Sequence, residues 1–280
     1  MGQGLPGARR PGHRGDLLLI SAATIGGALA ASGRFVGPAW RHAWAALLLA
    51  SLATAFWVWV TLVPESAHWQ PAVFLIVLAS WLLAQGALWR RVLDQGDGGL
   101  RLGMGELRLL TTWFLAAAFL FIIGLLFFVV VLGFAYAAAA SGKGFVAADV
   151  ATWAGAVDSR GRIVVSIVGL AAAVALVWAA IRISLAPAAT MASARVRMLE
   201  TWPLTRGLVW RILAGQGVIG LGPMALWLWS GRFVRSTPLK ASVAIGLSGL
   251  NGLVVAGLWL PLGVGLMAYF YRASTAKLET

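Results

Sequence analysis

The residues that could do chemistry in this chain are few and scattered. There is no cysteine and there are three histidines, His13, His42 and His68, far apart in the sequence. Thiol catalysis, disulfides, zinc–thiolate centres and iron–sulfur clusters are therefore excluded. Asp94, Asp97 and Glu106 share one stretch, in which Asp94-Gln-Gly-Asp97-Gly-Gly vaguely suggests a cation loop. It has too few ligands for calcium and reads as a solvated turn. Asp149 and Asp158 have no partner histidine. No Gly-x-x-x-x-Gly-Lys phosphate loop occurs, and no apolar stretch holds Gly-x-Ser-x-Gly, a pair of Asp, or His-Glu-x-x-His. Intramembrane proteolysis thus lacks both nucleophile and metal. The residues point to a protein that is not an enzyme and needs no cofactor.

Two polar sets remain. One is neutral and sits inside apolar runs: Gln85, Gln216 and Asn251, with Ser166 and Ser248. Such groups bond between helices or line a cavity; a continuous polar cavity over Gln85, Gln216 and Asn251 would indicate transport. The other set is basic: Arg195, Arg197, Arg206 and Arg211 fall in one short segment, and Arg41 precedes another apolar run. Arginines beside apolar runs suit contacts to anionic lipid head groups.

The elements that position these residues follow from composition. Of the 280 residues, 60% are hydrophobic and only 11% charged. Soluble domains carry about 25% charged residues. Six runs approach or exceed the roughly 20 apolar residues needed to cross a bilayer: 43–63, 71–89, 109–134, 163–185, 212–230 and 241–270. They are too long, and too apolar on every face, for barrel strands. The expectation is an all-α polytopic bundle of six transmembrane helices, with amphipathic interfacial helices on the cytoplasmic side. Pro261 predicts a kink in the last span, and Gly222-Pro223 a packing kink rather than a break in the fifth. Gly246, Gly249 and Gly252 predict close helix approach. Residues 1–15 read as a disordered basic arm and 16–280 as one membrane domain.

Net charge is +13, with 22 Lys and Arg against 9 Asp and Glu. The basic residues lie between apolar runs, and no basic domain or stacking platform exists for nucleic acid. Membrane lipids are the expected partners. With the N-terminus inside, sixteen Lys and Arg fall on the cytoplasmic side and six on the other. That bias places both termini in the cytoplasm. Segment 16–34 is compatible with an interfacial helix, a signal peptide ending in Ala28-Leu29-Ala30, or a seventh span. The last two reverse the loops and break the bias. Trp40, Trp44, Trp89, Trp113, Trp202 and Trp210 fall at the inner boundary, whereas Trp81, Trp178 and Trp259 lie deeper and read as packing residues.

Gly37-Pro-Ala-Trp40-Arg41 and Gly207-Leu-Val-Trp210-Arg211 repeat with an offset of 170 residues. They suggest three hairpins beginning near residues 24, 103 and 194. In the segment 182–211, Leu185-Ala-Pro187-Ala is followed by Leu204-Thr205-Arg206-Gly207 and an aromatic–Arg pair. This pattern resembles a family of six-span bacterial inner-membrane proteins of unknown role, similar to the membrane domain associated with glycerophosphodiester phosphodiesterases. The resemblance implies a membrane domain without the soluble catalytic part. Read residue by residue, Pro187 ends the fourth span, residues 191–202 form an amphipathic surface helix, and Thr205 caps the fifth span. The combined expectation is a non-enzymatic membrane protein in envelope organisation or lipid or partner association, with a transporter or lipid-handling channel as the alternative.

Overall fold

A computed structural model describes residues 24–62, 64–95, 99–140, 142, 146–147, 150–236 and 241–276. All regular structure among them is helical. Six stretches are long and apolar enough to cross a membrane: Ile25–Thr61, Gln70–Val92, Met104–Ala139, Ser159–Ser193, Val209–Phe233 and Ser242–Ala276. A helix satisfies its backbone internally, which is the condition for standing in hydrocarbon.

The first described helix is α1 (Ile25–Leu62), 38 residues long. It starts 18 residues before the expected span at 43, so the described part of segment 16–34 continues directly into that span. A kink interrupts it at Ala43, where the backbone leaves helical geometry. A short 3₁₀ turn, Pro64–Trp69, leads to α2 (Gln70–Val92). Next come α3 (Met104–Ala139), a short α4 (Val150–Ala156) and α5 (Ser159–Ile183). Asp158 caps α5, its carboxylate accepting from the Gly161 amide at 2.7 Å. Two small helices follow, α6 (Ala186–Ser193) and α7 (Thr201–Leu204), then α8 (Val209–Ser236). The last span comprises α9 (Ala241–Gly252), a π-helical segment Leu253–Trp259 and α10 (Leu260–Ala276).

The core lies where α1 packs lengthwise on the last span. Ser32 Oγ donates to the Leu262 carbonyl at 2.6 Å, and a Cβ on Gly265 would touch Ser32 and Phe35. Further along, Gly252 sits so close to α1 that a Cβ there would fall inside the contact shell of the Ser51 carbonyl. Gly246 and Gly249 have open space at the same position. By contrast α3 and α5 pair at the periphery and leave apolar side chains outward; Phe114 and Phe121 are 72% and 70% exposed. An apolar outer surface of this kind belongs in hydrocarbon rather than water.

Proline shapes the last span differently from a simple kink. Pro261 has no N–H, so the Gly257 carbonyl loses its ordinary i+4 donor. The indole of Trp40 supplies a replacement, Nε1 donating to the Gly257 carbonyl at 2.7 Å. Just before the proline the helix widens to π over Leu253–Trp259. In the fifth span Pro223 lies inside a continuous α8 and does not break it.

The segment after span four departs from expectation. Span four's first helix ends at Ile183, and Pro187 stands in the first turn of α6, where a missing N–H is harmless. The helix expected over 191–202 does not exist. Ala194 adopts a left-handed conformation (φ 53°), which ends α6 after Ser193. Thr205 does not cap α8; its hydroxyl donates back to the Trp202 carbonyl at 3.0 Å.

Candidate functional site

The ends of α2, α5 and α10 and the starts of α3 and α8 gather at one end of the bundle, and charged side chains tie them together. Arg90 on α2 makes an ion pair with Glu106 on α3. Glu106 is 1% exposed, and its other oxygen accepts from the Gly103 amide at 2.9 Å, capping the start of α3. Arg90 also donates to the Gly99 carbonyl at 2.8 Å, holding down the α2–α3 connection. Gly86 makes the room: a Cβ there would stand 2.5 Å from a Glu106 oxygen. Glu106 is thus a buried helix-joining group and not part of a solvated loop with Asp94. Asp94 instead faces Arg272 of α10, at 3.8 Å. Asp97 lies outside the described residues.

A second clasp holds the 184–208 connection. The Arg182 guanidinium lies 4.9 Å from the Trp178 ring centre and 5.6 Å from that of Trp202. It donates to the Trp202 carbonyl at 3.1 Å. Arg182 therefore anchors the connection between two indoles instead of extending toward a membrane surface. Thr190 adds a polar hub. Its hydroxyl pairs with Thr112 of α3 at 3.0 Å and accepts from the Arg197 amide at 3.2 Å. Gln95 donates to the Met191 carbonyl at 3.0 Å.

Beneath these clasps lies a partly open cavity of about 210 Å³. Trp81, Gln85 and Trp89 enter from α2, Trp113 from α3, Gln216 from α8, and Trp259 from the end of the π segment. Trp81, Gln85 and Trp89 are spaced by four residues and so occupy one face of α2. At 1.5 Å per residue they reach from about 5 to about 17 Å below the end of that helix. Trp81 is satisfied by Thr54, its Nε1 donating to Oγ1 at 2.9 Å. The indole N–H groups of Trp89, Trp113 and Trp259 are buried and have no acceptor among the described residues.

The expected polar residues divide. Gln85 and Gln216 meet at this cavity. Asn251 does not join them; fully buried, it donates to Ser230 Oγ at 3.4 Å and to the Leu247 carbonyl at 2.9 Å. The continuous polar path over all three is therefore not formed. Of the basic set, Arg41, Arg195, Arg206 and Arg211 have exposed side chains, and Arg197 pairs with Glu200 at 3.2 Å. Trp89 and Trp113 line the cavity. The four-residue spacings Trp81–Gln85–Trp89 and Trp178–Arg182 were the available signals for the cavity wall and the second clasp. Among the described residues, no three His, Asp or Glu side chains come together.

Compared with family models, with curated proteins and with solved structures, the chain matches none of them.

Proposed function

We propose that this is a non-enzymatic, lipid-associated component of the bacterial inner membrane, with its clasped end at the cytoplasmic face and a role in envelope organisation. The observation that carries the reading is the 184–208 connection. It is fixed to the bundle by Arg182 and Thr190 and presents Arg195 and Arg206 outward, beside the exposed Arg211. Arginines on a fixed support lose less freedom when they take a phosphate than arginines on a loose arm. The expected bias of basic residues points the same way.

Native mass spectrometry of the purified protein in mixed micelles tests this. The wild type is expected to retain phosphatidylglycerol or cardiolipin over phosphatidylcholine, and Arg195→Ala/Arg197→Ala/Arg206→Ala to lose that preference. Unchanged retention in the triple variant contradicts the head-group reading. A lipid-handling channel is the second reading, favoured by the meeting of Gln85 and Gln216 at one cavity. It predicts lipid scrambling in proteoliposomes that Gln85→Leu/Gln216→Leu abolishes.

A further inference from the structure

The cavity wall holds two carboxamides that nothing in the described chain satisfies. Gln85 is 9% exposed, lines the cavity and has no hydrogen-bond partner among the described residues. Its amide is not one of the sealed polar groups, so it keeps accessible surface, and the cavity is the space it lines. Gln216, half-buried on α8, is placed in the same way. Leaving a buried carboxamide unpaired is costly. Ser184, at the α5–α6 junction, also lines the cavity. Its proton goes to the Ile181 carbonyl at 2.7 Å, so toward the cavity its oxygen can only accept. The indoles add no donor. Those of Trp89, Trp113 and Trp259 have sealed nitrogens, and that of Trp81 is committed to Thr54. They therefore line the cavity through ring carbon. No Lys, Arg, His, Asp or Glu does so.

What the wall offers a ligand is two carboxamides, each donor and acceptor, and one acceptor hydroxyl. A charged ligand finds no counter-charge. A ligand carrying acceptors alone, such as a ketone or an ester, leaves the amide and serine oxygens unpaired. A hydroxyl both donates and accepts. Polar groups on three separate elements call for hydroxyls spread around a ring, and the aromatic carbon between them for apolar C–H faces. The volume of about 210 Å³ exceeds the roughly 150 Å³ that admits a benzene ring, so one six-membered ring fits. We infer that this cavity binds a neutral sugar ring, with its hydroxyls on Gln85, Gln216 and Ser184 and its C–H faces against the tryptophans. Two sources carry that ring: the head group of a neutral glycolipid and a free monosaccharide. The inference goes beyond both readings of function. It needs neither the exposed arginines nor the passage of lipid, so the triple arginine variant is expected to keep this binding. Binding and scrambling are separate readouts, and either can fail alone.

The probes are octyl glucoside, kept below its micellar concentration, and glucose. Each is titrated into the purified full-length protein in a sugar-free detergent, lauryldimethylamine oxide, with binding read by native mass spectrometry. Saturable binding of one equivalent is expected. Glucose binding as tightly as octyl glucoside identifies a free sugar as the source, and binding of octyl glucoside alone a glycolipid. Decylubiquinone, which carries acceptors only, is expected to bind more weakly than octyl glucoside. Gln85→Met and Gln216→Met keep the length of the side chain and remove the amide; each should weaken binding about fivefold, the worth of one neutral hydrogen bond. Gly263 lines the cavity and has open space where a Cβ would sit, so Gly263→Leu should fill the site and weaken binding more than about tenfold. The methionine variants preserve the test if Gly263→Leu does not fold. Saturable binding of neither sugar would leave the cavity to water and overturn the inference. So would decylubiquinone binding as tightly as octyl glucoside, or sugar binding unchanged in both methionine variants.

Discussion

At the scale of single residues, the best-defined arrangement is the buried pair of Arg90 and Glu106. Breaking such a pair strands a charge and costs about 3–5 kcal/mol. Glu106→Ala is expected to lose most of that stability in an SDS unfolding titration, since the Gly103 amide also loses its acceptor. Glu106→Gln keeps an acceptor oxygen and should lose less. Gly86→Ala should resemble Glu106→Ala although it removes no charge, because its methyl group takes the carboxylate's place. A Gly86→Ala protein as stable as wild type would refute this packing. The sequence alone placed Glu106 with Asp94 and Asp97 in a turn, because proximity along the chain was the only relation visible. The partner was already present on α2, but the side it faces is set by how α2 and α3 rotate against each other. Gln85 and Gln216 were identifiable as polar groups in apolar runs. Asn251 was identifiable in the same way and yet faces Ser230. Polarity marks such residues without telling which neighbour satisfies them.

At the scale of elements, the last span shows what glycine and proline do in this bundle. Gly246, Gly249 and Gly252 look alike in sequence, but only Gly252 lies against another backbone. Gly252→Ala should cost about 1–3 kcal/mol by forcing α1 and α9 apart. Gly249→Ala should be neutral or stabilising by up to about 1 kcal/mol, the helix-propensity gain. Unfolding midpoints that rank the two the other way would contradict the observed approach. Pro261 was legible as a disturbance, and its consequence was not. The freed Gly257 carbonyl recruits Trp40 from a helix 217 residues away in sequence. Trp40→Phe is therefore expected to cost about 0.6–1.7 kcal/mol, the range for hydrogen bonds between membrane helices. In a Pro261→Ala background, where residue 261 regains its N–H, the loss should shrink. A double-mutant cycle with no coupling would separate the two residues. The amphipathic helix expected over 191–202 failed for a local reason. Alanine and methionine spacing favoured helix, but the backbone turns left-handed at Ala194, and the connection is held by Thr190 and Arg182 instead.

At the scale of the whole molecule, six spans were readable from hydropathy alone because each must be apolar over its membrane-crossing length. Their true extents were not, since a helix need not stop where its apolar run does; α1 begins at Ile25 and α3 runs to Ala139. What organises the molecule is one end where helix termini, two arginine clasps and a tryptophan-lined cavity converge. The proposed function needs that end to face the cytoplasm. Because the chain contains no cysteine, a single introduced thiol reports position without background. The decisive measurement is labelling by a membrane-impermeant maleimide in intact spheroplasts, with cysteine placed at Leu102, exposed beside the first clasp, or at Val146, exposed in the α3–α5 connection. Val146→Cys should label in intact cells, and Leu102→Cys only after permeabilisation. Labelling of Leu102→Cys in intact cells with Val146→Cys protected would contradict the account.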